Sequence, residues 1–256
     1  MEINAERVIE LVKSVRPLFM DHERASRITV KGAADFVTQV DFLVQERMRS
    51  GLFDMYPQVQ FMGEEKDNRD IDFSGAVWIL DPVDGTTNLI HDFRCSALSL
   101  ALCDRGQMEL GIIYQPYEDE LFLAQRGKGA FLNGNPIHVS SVKDLGQSLI
   151  SIGTSPYNHD LADRNFEDIK RVFLKCSDIR RTGSAAVDLA YVACGRLDAY
   201  FERCLNPWDF AAGMLLVREA GGSVLDYSGA QADTSMVNNI VAGNSEISRL
   251  LASKYL

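Results

Sequence analysis

The chain has 256 residues, and 36 Asp and Glu against 26 Lys and Arg set a formal net charge of −10. That length suits one large domain or two small ones and buries roughly 70–75% of the unfolded chain's surface by size scaling. The charge argues against nucleic acid as the main partner, while an anionic substrate stays open if bound cations reverse the local sign.

Val8, Leu11, Val12, Val15, Leu18 and Phe19 recur at helical spacing, predicting a helix over about 3–24 that Pro17 kinks or ends early. Lys31 and Gly32 open a loop. Thr38 or Asp41 then caps a helix whose apolar face carries Phe42, Leu43, Met48 and Leu52, with Gly51 loosening its end. Phe61-Met62-Gly63 reads as a strand leaving the core into Glu64 and Glu65, and residues 66–74 read as a charged surface loop.

An apolar run from Ala76 to Leu80 is strand-like and should stop at Asp81-Pro82, because proline cannot donate to a sheet ladder. Asp84-Gly85 makes a turn, and Thr86-Thr87-Asn88 suits the start of a helix. Two carboxylates three residues apart suit Mg²⁺, and free N–H groups at a helix start suit phosphate. The same residues also read simply as a turn and a cap, and other carboxylates must decide between the two.

Alternating runs at 96–102, 110–114 and 121–124 predict antiparallel strands. Gly127-Lys128-Gly129 reads as a hairpin with Phe131 inward rather than a phosphate loop. Residues 140–147 are a polar connection between an N-terminal half of about 1–140 and a C-terminal half of about 141–256. The second half predicts a strand at 148–152 and a helix at 158–173 with Leu161, Phe166, Ile169, Val172 and Phe173 on its apolar face. A helix at 185–193, a strand at 197–201 ending at Glu202, and a helix from Trp208 to Val217 follow. Two strands and a final helix complete the chain.

The five cysteines, with no C-x-x-C pair, read as buried thiols in a reducing cytoplasm rather than a disulfide framework or zinc site. The first residues lack a signal-peptide pattern, and no apolar run is long enough to span a membrane, so a cytoplasmic protein without a membrane partner is expected. Carboxylates suit Mg²⁺ better than imidazole does, and no catalytic role falls to His22, His91, His138 or His159.

Candidate acids thus stand at Asp41, Glu64, Asp81 with Asp84, and Asp209, each at an element boundary. Gly63-Glu64-Glu65, Asp81-Pro82-Val83-Asp84-Gly85-Thr86 and Trp208-Asp209-Phe210-Ala211-Ala212-Gly213 together resemble the inositol monophosphatase family over essentially the whole chain. Within it the likeness is to bacterial inositol-1-monophosphatases, through Arg181-Thr182-Gly183-Ser184-Ala185-Ala186 and Pro207 to Phe210.

That resemblance implies an α/β (α+β) fold, a layered αβαβα sandwich forming a single domain over residues 1–256. Its N-terminal half would hold the larger, antiparallel sheet and its C-terminal half the smaller, mixed one. It implies Mg²⁺-dependent hydrolysis of a phosphate monoester with two or three ions. Glu64, Asp81 and the Val83 carbonyl would hold the first ion, Asp81, Asp84 and Asp209 the second, and a weaker third would lie near Glu64. Thr86, hydrogen-bonded to Asp41, would orient and help deprotonate the attacking water, with Glu64 and Asp84 completing the catalytic set. The amides of Gly85 and Thr86 would hold phosphate oxygens. Asp84, Gly183, Ser184, Ala185, Glu202 and Asp209 would line the substrate pocket, Glu202 reading a sugar or inositol hydroxyl. Lys31 corresponds loosely to a family lysine near the ions.

The expected partner is a small phosphorylated polyol, inositol-1-phosphate first, and the expected assembly is a lithium-sensitive homodimer. Fructose-1,6-bisphosphate, NADP, 3′-phosphoadenosine 5′-phosphate and histidinol phosphate are alternatives within the same chemistry. A binding or regulatory protein acting through a partner surface is the alternative of another class. Arg203 departs from the usual methionine- or isoleucine-glycine pattern and reads as solvent-facing; Cys204 reads as packing.

Overall fold

In a computed structural model, which describes residues 3–32 and 35–256 apart from the side chains of Lys31 and Asp35, the N-terminal helix is broken in three. These are α1 (Ala5–Lys13), α2 (Arg16–Phe19) and α3 (His22–Ala25). Pro17 enters the first turn of α2, where a missing N–H leaves no bond unmade, and Asp21 starts α3 by accepting from the Arg24 N–H at 3.0 Å. The loop expected at Lys31 is strand instead: β1 (Ile28–Gly32) pairs antiparallel with β2 (Asp35–Thr38). The side chain of Lys31, and with it the loose match to a family lysine, lies outside the described residues.

Thr38 caps α4 (Gln39–Met55) and shares a capping box with Asp41. This helix runs through Gly51 and buries Val40, Asp41, Val44, Met48 and Leu52. Phe42, expected inward, is instead 48% exposed, because the cap sets the helical phase and puts Asp41 on the inner face.

The first large sheet comprises β3 (Gln60–Gly63), β4 (Ala76–Asp84), β5 (Ala97–Asp104), β6 (Gln107–Gln115), β7 (Glu120–Gln125), β8 (Ala130–Leu132) and β9 (Asn135–Ile137), in that spatial order. Only its edge pair β3–β4 is parallel; the others are antiparallel. Between β4 and β5 lies the short α5 (Thr86–Ile90). Strand β4 does not stop at Pro82. The ladder passes from Asp81 opposite Ser99 to Asp84 opposite Ala97 through a bulge, and proline sits inside it, where no donor is needed.

The second sheet has the order β11 (Asp178–Arg180), β10 (Leu149–Ile152), β12 (Ala199–Leu205), β14 (Asn238–Gly243), β13 (Ser223–Asp226). Strand β10 is parallel to both its neighbours, while the β12–β14 and β13–β14 pairs are antiparallel, so the sheet is mixed. Helices α6 (Ala162–Phe173), α7 (Ala185–Ala193), α8 (Pro207–Glu219) and α9 (Ser245–Lys254) accompany it. Strand β12 runs past Glu202, with a bulge before Leu205. The apolar face expected for α6 is only half right: Ile169 and Val172 are buried, but so are Asn165 and Asp168, while Phe166 and Phe173 are 60% and 51% exposed.

Alternation along the strands builds the layers. Trp78, Leu80, Leu98 and Leu100 face α1 and α4, packing on Val8, Val12, Val44 and Met48. Val77, Ile79 and Ile113 on the opposite face meet α7 and α8, which are in turn covered by Tyr200, Val224 and Ile240 of the second sheet. The outer face of that sheet, with Ile150, Phe201 and Val241, packs on α6 and α9. The order is αβαβα. Because α7 and α8 are enclosed between two sheets, they are rich in alanine and apolar almost all round.

Candidate active site

The site begins at the bulge in β4. Asp81 accepts the Val83 N–H at 3.0 Å, which folds the chain back around its carboxylate. Gly85 has φ +88°, and a Cβ there would meet the Cys95 and Gly183 carbonyl oxygens at 3.1 and 3.2 Å, so only glycine fits. Gly85 occupies the N-cap of α5 with no side-chain cap, which frees Thr86 and Asn88 for other bonds. The Thr86 hydroxyl lies 3.0 Å from Asp41 Oδ1 and 3.1 Å from the Val83 carbonyl oxygen. Asn88 Nδ2 donates to the carbonyls of Cys95 and Thr182, joining the two halves.

Two more segments bring acids to this point, and a third brings hydrogen-bond donors. The parallel β3–β4 pair sets Gly63 opposite Leu80, and the Glu64 N–H donates to the Leu80 carbonyl at 3.2 Å, so Glu64 follows alongside Asp81. Helix α7 presents its N-terminus to β4: the Ser184 hydroxyl and the Ala186 N–H donate to Asp84 Oδ2 at 2.6 and 2.5 Å. Asp209, in the first turn of α8, accepts from the Asn206 N–H at 2.7 Å.

Asp81 is 2% exposed, and burial, then the charges of Glu64, Asp84 and Asp209, push its carboxyl well above the ordinary range. Asp209 is raised likewise, by burial and then by Asp84 and Glu64. Asp84 is pushed up to about 6, mainly by burial, against the bonds from Ser184 and Ala186 that favour its charged form. Asp41 is raised by burial, opposed by hydrogen bonds from Thr38 and Thr86.

As the side chains stand, no three Asp, Glu, His or Cys groups among the described residues close into a cage around one point. The acids instead turn oxygens to their own backbone and to Ser184, and Asp81 and Glu64 bond each other. Their chemistry nonetheless fits a hard divalent cation: one buried and three half-buried carboxylates from separate segments raise one another's proton affinity, and a cation among them relieves that repulsion. Arg181 is the only Lys or Arg among the described residues lining the adjoining cleft.

This cleft encloses about 210 Å³, and Asp84, Gly85, Thr86, Gly183, Ser184, Ala185, Glu202 and Asp209 all line it. Asp41, Glu64, Asp81 and Val83 do not form its wall. Glu202 accepts from the Tyr200 hydroxyl at 2.5 Å and the Ser155 N–H at 2.8 Å, and burial raises its carboxyl. Gly153 lets Glu202 lie against the end of β10, since a Cβ there would stand 1.9 Å from the carboxyl carbon.

Sequence reasoning missed Asp188 and Tyr157. Asp188 follows the α7 cap Ser184 by four residues, a spacing that puts both on one helix face, and it accepts from the Ser151 hydroxyl at 2.6 Å. Tyr157 carries no such signal, lying in the loop after β10. It is 63% exposed as a residue and lines the cleft. Desolvation where it faces the cleft, then the charges of Glu64, Asp209, Asp84 and Asp81, pushes its pKa up. Two further expectations are corrected. Arg203 is 6% exposed and paired with Asp168, because β12 turns it inward against α6. Cys204 is exposed, carried outward by the bulge at φ +58°.

The family model described as "Inositol monophosphatase family" matches residues 1–255. The chain is 43% identical over 217 residues to the Nus factor SuhB of Salmonella typhimurium, covering 85% of this chain and 81% of that one. It is 37% identical over 264 residues to an inositol monophosphatase of Dictyostelium discoideum, covering 97% and 95%. The solved structure of SaIMPase-II with inositol monophosphate bound superposes with TM-score 0.85 at 28% identity, covering 98% and 93%.

Proposed function

Because the chain belongs to the inositol monophosphatase family, we propose that it is a Mg²⁺-dependent phosphate monoester hydrolase releasing phosphate from a small phosphorylated polyol, inositol monophosphate first. The observation that carries this is the meeting of Glu64, Asp81, Asp84 and Asp209 from three separate segments in one shared field. The family's assignment gives Glu64, Asp81 and the Val83 carbonyl to one ion and Asp81, Asp84 and Asp209 to a second, with a weaker third near Glu64. When bound, such ions neutralise phosphate charge, acidify water and stabilise a departing alkoxide.

The chain's own groups do the rest. Thr86 donates its proton to Asp41 and thereby turns an oxygen lone pair to the attacking water, orienting it and drawing its proton towards the Asp41 carboxylate. The Gly85 and Thr86 amides hold phosphate oxygens. Gly183, Ser184 and Ala185 shape the wall, and Glu202 reads a polyol hydroxyl. The site draws on both halves of the chain, which supports treating residues 1–256 as one domain.

A substrate panel with purified protein and Mg²⁺ tests the reading. The highest kcat/KM is expected on inositol monophosphate, above fructose-1,6-bisphosphate, NADP, 3′-phosphoadenosine 5′-phosphate and histidinol phosphate. Preference for a nucleotide would overturn the substrate and leave the chemistry. No Mg²⁺-dependent release from any of them would overturn the hydrolase itself.

A second reading, action as a binding factor through a partner surface, is favoured by the relatives named Nus factor. A homodimer and Li⁺ inhibition at the second ion position also belong to this proposal, tested by solution mass and by titration of activity with Li⁺. Action in the cytoplasm is supported by five free cysteines; among the described residues no helix is long and apolar enough to cross a membrane.

A further inference from the structure

Successive residues of β12 face opposite ways, so Glu202 turns to the cleft and Arg203 to the α6 layer. The Arg203 guanidinium pairs with Asp168 of α6, and both side chains are buried. It also stacks 4.4 Å from the centroid of the Tyr227 ring. Its Nε is buried without a hydrogen-bond partner. A buried pair of this kind is commonly no more stabilising than two apolar residues of the same volume, so bulk stability does not account for it.

Its connections do. The Ser155 hydroxyl donates to the Arg203 carbonyl at 2.7 Å, while the Ser155 N–H donates to Glu202 Oε1 at 2.8 Å. Asn165, one turn before Asp168 on α6, donates to the Thr154 carbonyl at 3.1 Å. Helix α6 thus holds the 154–157 loop with one buried polar residue and Arg203 with the next. The loop meets the strand through Ser155, and Ser155 and the strand's Cys204 both stand at positive φ, 48° and 58°. A cavity of about 60 Å³ adjoins them, lined by Ser155, Glu202, Arg203 and Asp209 among others.

We infer that Arg203 is a positioning residue for substrate selection. Clamped between Asp168 and Tyr227, it holds the 202–204 backbone and the 154–157 loop at a fixed separation. The Glu202 carboxylate then meets a polyol hydroxyl, and Tyr157 borders the same pocket. This rests on the hydrolase reading above and adds a determinant outside the cleft.

The test compares inositol monophosphate with p-nitrophenyl phosphate, whose leaving group has no hydroxyl for Glu202 to read. Arg203→Met is the first variant. Arg203→Met with Asp168→Leu is the second, since it leaves no unpaired buried charge, and folding of each is checked by thermal melting. In a folded variant KM for inositol monophosphate should rise about tenfold, the size of one lost hydrogen bond to a charged group, with kcat within about twofold. For p-nitrophenyl phosphate, kcat/KM should stay within about twofold. Parallel loss on both substrates, no change on either, or failure of both variants to fold would overturn the inference and leave the hydrolase standing. A wild-type protein that turns over neither substrate would overturn both.

Discussion

At the scale of single residues, the site is defined by the burial of its acids and the fields they share. Asp84 is held by Ser184 and Ala186, with no cationic partner in a salt bridge among the described residues, and burial raises its proton affinity. Asp84→Asn should therefore lower the Mg²⁺-dependent kcat by about 10²-fold or more, the scale of losing one preorganised electrostatic group. Thermal melting without metal should show a folded protein no less stable than wild type; any loss of partner binding can be scored separately, and unaltered turnover would refute the site. Thr86 has a different task. Thr86→Val keeps the shape and removes the hydroxyl that the proposed mechanism sets between Asp41 and the attacking water, so kcat should fall by about 10²-fold or more with KM within about twofold. Equal effects on the two constants would deny Thr86 a role in the chemical step.

Elements bring these residues into range, and here glycine and capping residues set the positions. Gly153 closes β10 against Glu202, and a Cβ would overlap the carboxyl group. Gly153→Ala should cost about 1–3 kcal/mol, as overpacking does, and raise KM for a polyol phosphate more than for p-nitrophenyl phosphate, read from melting curves and the two KM values. The elements were legible where one residue dominates its surroundings. Thr38 capping α4, and the turn glycine Gly85, stand where their chemistry put them. The pattern failed where a tertiary contact outweighs local hydrophobicity. Phe42 and Phe166 are apolar yet outward, because Asp41 on one helix and Asn165 and Asp168 on the other take the inner positions to make hydrogen bonds across layers.

For the whole molecule the consequence is a pH dependence that metal should remove. Asp81, Asp84 and Asp209 are raised above their ordinary value of 3.8 in the folded chain, Asp84 to about 6. The folded state therefore holds protons that the unfolded state has released, so without metal stability is greatest below pH 3.8 as far as these groups are concerned. It falls as pH rises through about 6. Melting in a chelator should show Tm decreasing between pH 5 and 7.5 in wild type. Mg²⁺ should flatten that slope by binding the ionised form, and a chelated protein with no slope there would contradict the shared field of the acids.

The sequence by itself determined the turn and helix start of the central segment, because Asp84-Gly85-Thr86 sets both within a few bonds, whereas the bulge around Pro82 shows only in the sheet register. It also held the family resemblance, and through it the layered fold. What only the tertiary structure decided was everything that depends on distance through space. Asn88 meets Thr182, Asp84 meets Ser184, Gly153 makes room for Glu202, and Arg203 turns in to Asp168. Local propensity acts between neighbours along the chain, whereas those pairs are set by how two twisted sheets close on the helices between them, and no stretch of sequence carries that closure alone.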